Sequence, residues 1–326
     1  TRPKDKKNII CHAPFKSLTF FLGGKVMACW HNKQFLIGEF PKNSIQEIWF
    51  GERLKKLREH ILHNDLTLGC FECKKNIENG LYASSGSWKY DYLPYSDSEF
   101  PASMDFQTCN HCNNECIMCI GEYSSSIRKN REKKANYQNP YRNNFIEQLV
   151  PFIPYLKEAS FSGGEVFLCE EYFTIWEKFI QLNPKIIVSV TTNGTILNER
   201  VKKILEAIRF NINLSIDAIN KAVFEKIRKN SNLEQVLSSL DYFENYVKSK
   251  NTELTIRINV MQQNYEYIPE LIIYLNDRNI KIHFNKVIFP PYTALWNADL
   301  SILSKAVDLL YNINLKTDTF VQKRNN

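Results

Sequence analysis

Residues 103–119 read SMDFQTCNHCNNECIMC. The first six, SMDFQT, make a short β-type run, and the loop after them carries Cys112, Cys116 and Cys119 at a C-x3-C-x2-C spacing. Three soft thiolates this close together suit an iron–sulfur cluster. A cluster that only passes electrons is normally closed by four protein ligands, so three cysteines leave one iron open to a small molecule. Cys109 lies three residues before Cys112 and does not fit the spacing; it is expected to be a thiol near the cluster.

Working outward, six strand-like runs follow from Ala102 onward: SMDFQT, EASFS, KIIVSVTT, FNINLSID, ELTIRINVM and IKIHFNKVI. Amphipathic stretches such as NNFIEQLVPFI, RVKKILEAI and LEQVLSSLDYFENYV separate them. This alternation predicts an α/β fold with a parallel sheet, either open or rolled into part of a barrel. Ligands in such folds gather at the carboxyl ends of the strands. CNNECIMC follows the first strand, and SGGE, TTNG and SID end the next three, so every motif sits where a ligand is expected.

Residues 1–100 have a different texture. They hold the short β-like runs SLTFF and KVMACW, a helix-like stretch from about Ser44 to His63, and the turn-rich segment LYASSGSWKYDYLPYSDSEFP. A domain boundary is expected near residue 100, giving units 1–100 and 101–326.

Composition narrows the function classes. The chain of 326 residues is 44% hydrophobic and 13% aromatic, as a globular protein is. No run of about 18 uncharged apolar residues exists and TRPKDKK is not followed by an apolar core, so the chain reads as cytoplasmic. Seven of the nine cysteines fall in ligand-like spacings, which favours reduced thiolates on metal over disulfides. The formal charge of +7 could attract nucleic acid or an acidic peptide. Its clearest cluster, Arg128, Lys129, Arg131, Lys133 and Lys134, is either a solvated face or a binding patch. The six histidines show no HExxH spacing, and no GxxxxGK[ST] run is present to cradle phosphates.

Taken in order, the cysteine loop, Gly163-Gly164-Glu165, Thr192-Asn193-Gly194, Ser215-x-Asp217 and Arg228 in FEKIRKN resemble the radical SAM superfamily over residues 102 to about 290. The resemblance implies a partial (β/α)6 TIM-like barrel of the radical SAM type. It implies a [4Fe-4S] cluster on Cys112, Cys116 and Cys119 whose fourth iron chelates S-adenosyl-L-methionine. The glycine pair Gly163 and Gly164 would let the backbone approach that ligand, and Glu165 would accept hydrogen bonds from its methionyl ammonium. Arg228 would offer a planar fork to its carboxylate. Ser215 and Asp217 would lie near the ribose and Met118 beside the adenine. Asn193 is either a turn residue or part of the site. A reductant such as flavodoxin or ferredoxin would be the partner.

A second cysteine set lies in the amino-terminal unit. Cys11, Cys29 in GGKVMAC, and Cys70 and Cys73 in GCFEC resemble the SPASM or shorter twitch module, a small cysteine-rich α+β domain carrying an auxiliary [4Fe-4S] cluster. The family usually places this module after the barrel, whereas here it precedes it. Zinc on four cysteines is the alternative. Cys169, shortly after the glycine pair, is either a buried small hydrophobe or a hydrogen-atom donor.

The expected activity is reductive cleavage of S-adenosylmethionine to a 5'-deoxyadenosyl radical that abstracts a hydrogen atom. Its substrate is expected to be a ribosomally made peptide, cross-linked, epimerised or oxidised, with a small metabolite such as a sugar as the alternative. A non-catalytic iron–sulfur carrier or sensor and a zinc-stabilised RNA-binding module are competing classes. Tyr292 and Asp299, in FPPYTALWNAD, are candidates for substrate contact.

Overall fold

A computed structural model describes residues 8–142 and 144–325. The six expected strands all form: β4 Ser103–Cys109, β5 Glu158–Gly163, β6 Ile187–Thr192, β7 Arg209–Ser215, β8 Leu254–Val260 and β9 Lys281–Lys286. Each pairs in parallel with the next. Three earlier strands extend the same sheet: β1 Ser17–Phe21, β2 Lys25–Met27 and β3 Gly38–Glu39. The order is β3-β2-β1-β4-β5-β6-β7-β8-β9. β1 runs parallel to β4, with Ser17 opposite Ser103 and Phe21 opposite Gln107. One sheet therefore crosses the boundary expected near residue 100.

The two faces of this sheet differ in chemistry because side chains alternate along each strand. Phe20, Phe106, Phe161, Val190, Ile212 and Ile256 point to one face and are buried in the main core. Phe106 stacks on Phe20 and Phe161 at centroid distances of 5.4 and 4.7 Å. The amphipathic helices Glu170–Leu182 and Leu233–Lys250 cover this face, the first through the fully buried Phe173, Trp176 and Phe179 and the second through Val236, Leu240 and Phe243. The second starts on a side-chain cap: Asn232 Oδ1 accepts from Gln235 N–H at 2.9 Å. The opposite face carries Asp105, Ser160, Ser189, Asn211, Asn213 and Arg257, all half-buried. Parallel sheets usually read as apolar on both faces. A polar inner face marks the side where a ligand goes.

The helix-like stretch from Ser44 is two helices, Ile45–Phe50 and Glu52–Leu62, broken at Gly51. Ser44 and Glu47 form a reciprocal capping box.

Candidate active site and auxiliary cysteine centre

The three cysteines of the 112–119 loop lie just past the carboxyl end of β4. Cys116 is buried, and Cys112 and Cys119 are half-buried. The loop is held from two sides. Ser124 Oγ donates to Asn114 O at 2.7 Å and caps the helix Ser125–Asn130, whose Ser126 Oγ donates to Cys112 O at 2.7 Å. On the other side the Glu115 and Ile117 amides donate to the carbonyls of Lys229 and Ile227, each at 2.9 Å. The cysteine loop thus hangs on the segment that carries Arg228.

Burial pushes the Cys112 and Cys119 thiols up to about 12 and raises Cys116. The neighbouring thiols Cys116 and Cys112 push Cys119 further. Three close thiols that stay neutral by themselves need a cationic partner to ionise, which is the service a metal cluster performs. The donor set fits the expected group.

Glu165 is fully buried and tied to the end of β6. One carboxylate oxygen accepts from Thr192 Oγ1 at 2.7 Å and Phe167 N–H at 3.2 Å, and the other from Asn193 N–H at 2.7 Å. These fill three of about four acceptor positions on a carboxylate, leaving room for one further donor. Burial lifts this carboxyl to about 7 against the pull of those three donors. Asn193 makes contacts beyond its turn. Its Nδ2 donates to Asn113 Oδ1 at 3.0 Å and lies 3.9 Å from Cys112 Sγ. It links the glutamate to the cysteine loop.

The glycine pair meets backbone at close range. A Cβ on Gly163 would lie 2.3 Å from Cys109 O, and one on Gly164 would lie 2.1 Å from His111 O. Both clashes are with backbone, so the glycines let β5 close on the root of the cysteine loop, and Glu165 N–H then donates to His111 O at 2.6 Å. Gly163 also has φ +121°, which other residues rarely adopt.

Asp217 and Arg228 form a buried pair, with Arg228 Nη2 2.8 Å from Asp217 Oδ2. Asp217 Oδ1 accepts from the Asn259 amide at 2.7 Å, and Asn264 Nδ2 donates to Asp217 O at 2.8 Å. The carboxylate expected near a ribose is therefore fully buried and engaged with Arg228 and Asn259. The ion pair lies outside hydrogen-bond geometry, so Asp217 Oδ2 and Arg228 Nε are both buried without a hydrogen-bond partner. An orphaned guanidinium N–H beside three cysteines fits a carboxylate-bearing ligand. Ser215 is half-buried on the inner face, opposite Arg257 in the register. Met118 packs partly buried against Ile227, Met261, Val287 and Ala294.

The two remaining cysteines are corrected by the structure. Cys109 and Cys169 are joined in a disulfide, so neither is a free thiol. Cys109 ends β4 and Cys169 follows the neighbouring β5, and the turn at Gly163 and Gly164 brings their Cα atoms to 6.3 Å, within bridging range.

The second set, Cys11, Cys29, Cys70 and Cys73, gathers beside β1 and β2. Cys11 Sγ accepts from Ala13 N–H at 3.4 Å, Cys70 Sγ from Asn32 Nδ2 at 3.3 Å and Cys73 Sγ from Gly86 N–H at 3.4 Å. Burial raises all four thiols, Cys29 to about 11 and Cys70 to about 12, and Cys11 feels Cys29, Cys70 and Cys73 in turn. Among the described residues no three or more His, Cys, Asp or Glu side chains converge on a point the size of one metal ion.

Comparison with known families matches residues 106–275 to the radical SAM superfamily. The chain belongs to the radical SAM superfamily. Residues 11–74 match SPASM, an iron–sulfur cluster-binding domain, ahead of the radical SAM region. This radical SAM chain is thus an enzyme of the radical SAM type, with the partial (β/α)6 barrel of that superfamily. Its cofactors are S-adenosylmethionine and iron–sulfur clusters, one in the core and one in the SPASM region. It is 28% identical over 171 residues to the GTP 3',8-cyclase of Aliarcobacter butzleri, covering 52% of this chain and 46% of that protein. It spans about half the length of the curated relatives it matches. Similar solved structures include Streptococcus suis SuiB bound to S-adenosylmethionine, with 17% identity, coverage of 80% and 52%, and TM-score 0.46. Another is anSMEcpe with bound AdoMet, with 22% identity, coverage of 64% and 59%, and TM-score 0.49. No helix among the described residues is long and apolar enough to cross a membrane.

The sequence reading missed Thr192, Asn259 and Asn264 as supports of Glu165 and Asp217. Thr192 was visible in TTNG; Asn259 had a signal in the alternation of TIRIN, where polar side chains fall on the inner face.

Proposed function

We propose that Cys112, Cys116 and Cys119 hold the S-adenosylmethionine-binding [4Fe-4S] cluster, that Cys11, Cys29, Cys70 and Cys73 hold the auxiliary one, and that the substrate is a peptide. When bound, the core cluster and S-adenosylmethionine supply a 5'-deoxyadenosyl radical able to remove a hydrogen atom from a substrate carbon. The protein's part is to fix the cofactor and keep water from the reacting atoms. The remaining acceptor position of Glu165 takes the methionyl ammonium, and that positive charge draws its carboxyl, lifted by burial to about 7, into the ionised form. Arg228 Nε takes the methionyl carboxylate, with Asp217 and Asn259 fixing the guanidinium in place. Gly163 and Gly164 set the height of Glu165 above the cysteine loop. Ser215 borders the ribose, and Met118, in its apolar cluster, borders the adenine.

The observation that carries this reading is the convergence of Glu165, Asn193 and Arg228 on the cysteine loop, with a buried N–H of Arg228 left unpaired. A peptide is favoured by the exposed apolar rim after β9, where Ile288, Phe289, Tyr292 and Trp296 are between 49% and 69% exposed, a lip suited to an extended chain. Tyr292 belongs to this rim; Asp299 begins the helix Leu300–Tyr311 and is exposed. A reductant of the flavodoxin or ferredoxin kind would deliver the electron. A small-molecule substrate is the second reading, favoured by the relatives that are GTP 3',8-cyclases.

Anaerobic reconstitution with iron, sulfide, a chemical reductant and S-adenosylmethionine tests the first part. The expected product is 5'-deoxyadenosine, and its absence from fully loaded protein overturns the assignment. For the substrate, peptides and GTP are offered in parallel. A mass change on a peptide with stoichiometric 5'-deoxyadenosine supports the peptide reading, and turnover of GTP alone overturns it.

A further inference from the structure

The inner face of the sheet holds a positive charge that nothing among the described residues offsets. Arg257, on β8, lies opposite Ser215 on β7 and His283 on β9. Its neighbours Ile256 and Ile258 are fully buried in the core, which fixes Arg257 on the opposite, polar face. Its guanidinium makes one hydrogen bond, from Nε to Asn213 Oδ1 at 3.0 Å. Asn213 is itself held by donating from Nδ2 to Val190 O at 3.2 Å, so the guanidinium has a fixed orientation. The two terminal nitrogens, the part of the fork that binds oxyanions side by side, have no partner among the described residues.

The surroundings are electropositive. Burial lowers Arg257, and no counter-charge among the described residues raises it again. His283 is held down to about 4, by burial first and then by Arg257, Arg324 and Lys281. Lys281 has a partner of its own in Glu253, at 2.7 Å. A half-buried guanidinium with no counter-ion is expensive unless it meets an anion during function.

Position supplies the rest. Asn259, two residues after Arg257, contacts Asp217, the partner of Arg228. At about 3.3 Å per residue, Arg257 lies roughly 7 Å below Asn259 along β8 and level with Ser215, at the lower edge of the proposed cofactor site. A substrate group seated beneath the cofactor would meet it there.

We propose that Arg257 binds an oxyanion of the substrate, a carboxylate or a phosphate, on the inner face of the barrel, and so sets which substrate carbon faces the cofactor. This rests on the radical SAM assignment, and it sharpens the substrate class to one that is acidic. A carboxylate would come from an acidic side chain or a peptide terminus, a phosphate from a nucleotide.

The test uses the anaerobically loaded protein and an arginine-selective dicarbonyl, with mass spectrometry reading modification at Arg257. Two probes are added separately at millimolar concentration, glutarate and inorganic phosphate. At least one is expected to slow labelling of Arg257 by roughly 5-fold or more, as a bidentate ion pair would. Protection by glutarate alone assigns a carboxylate and agrees with a peptide; protection by phosphate alone keeps the oxyanion site while counting against the peptide. Labelling unchanged by both probes, or no labelling of Arg257 in the free protein, overturns the proposal and leaves the peptide reading standing. Arg257→Gln is the control. It is expected to keep the affinity for S-adenosylmethionine while raising KM for whichever anionic substrate turns over by about 10-fold or more, with Arg257→Lys intermediate. Equal loss of S-adenosylmethionine affinity in Arg257→Gln would also overturn the proposal, since the residue would then belong to the cofactor site.

Discussion

Replacing Asp217 by Asn tests what this carboxylate is for. The substitution keeps an oxygen that can accept from the Asn259 amide and removes only the charge facing Arg228. Arg228 is 5% exposed and Asp217 fully buried, so solvent screens neither. Stripping one partner from such a pair costs about 3–5 kcal/mol, most of it the burden of the charge left behind. The same loss lowers the midpoint of thermal unfolding by roughly 4–7 °C for a chain of this size. Urea unfolding of the cluster-free protein reads it as a lower midpoint at unchanged slope. Removing both charges, in Asp217→Leu with Arg228→Met, is expected to cost less than the sum of the two single changes by about 2 kcal/mol or more. If Asp217→Asn costs under about 1 kcal/mol and the double variant is additive, the pair is not what holds this end of β7. Should that variant keep full stability and lose only S-adenosylmethionine affinity, the carboxylate acts on the ribose instead.

Other outcomes follow from the same geometry. Cys116→Ala is expected to abolish 5'-deoxyadenosine formation, and residual turnover with full iron loading would refute the three-cysteine assignment. Glu165 has its carboxyl raised from 4.5 to about 7, so the folded state holds a proton that the unfolded chain has lost between those values. Stability of the cluster-free protein therefore falls as pH rises from 4.5 to 7, by up to about 3 kcal/mol, and Glu165→Gln should flatten that slope in urea titrations. Asn193→Ala leaves Asn113 Oδ1 and the Thr195 donors without their partner, and should weaken S-adenosylmethionine binding by about 10-fold while the backbone bond to Glu165 survives. Cys70→Ala should reduce the iron content to that of the core cluster without ending S-adenosylmethionine cleavage, checked by iron analysis beside product assay.

The six strands from residue 103 onward and the motif order were legible in the sequence because each motif ends an apolar run whose period is 2. Glu165 and Arg228 stood out by residue type, since a ligand with an ammonium and a carboxylate asks for those two groups, and the structure buries both beside the cysteine loop. What was not legible depends on contacts distant in sequence. Nothing in SLTFF says that it will pair with SMDFQT 86 residues later, since five apolar and hydroxyl residues fit any sheet edge. The Cys109–Cys169 link depends on β4 and β5 being neighbours and on the glycine turn that ends β5, a fact of topology. Asp217 was placed near a ribose by the family resemblance, while alternation with Ser215 says only that the two share a face; its burial comes from Asn259 and Arg228 closing over it.

The pairing of β1 with β4 also sets an order of events during synthesis. The amino-terminal cysteine region cannot complete its sheet until the strand ending at Cys109 has left the ribosome, so its first three strands wait, unpaired on one side, for the start of the barrel. A fragment beginning at residue 101 would in turn expose the β4 edge together with the aromatic surface that Phe20 covers, an invitation to edge-to-edge association. The two cysteine centres thus rest on one continuous sheet.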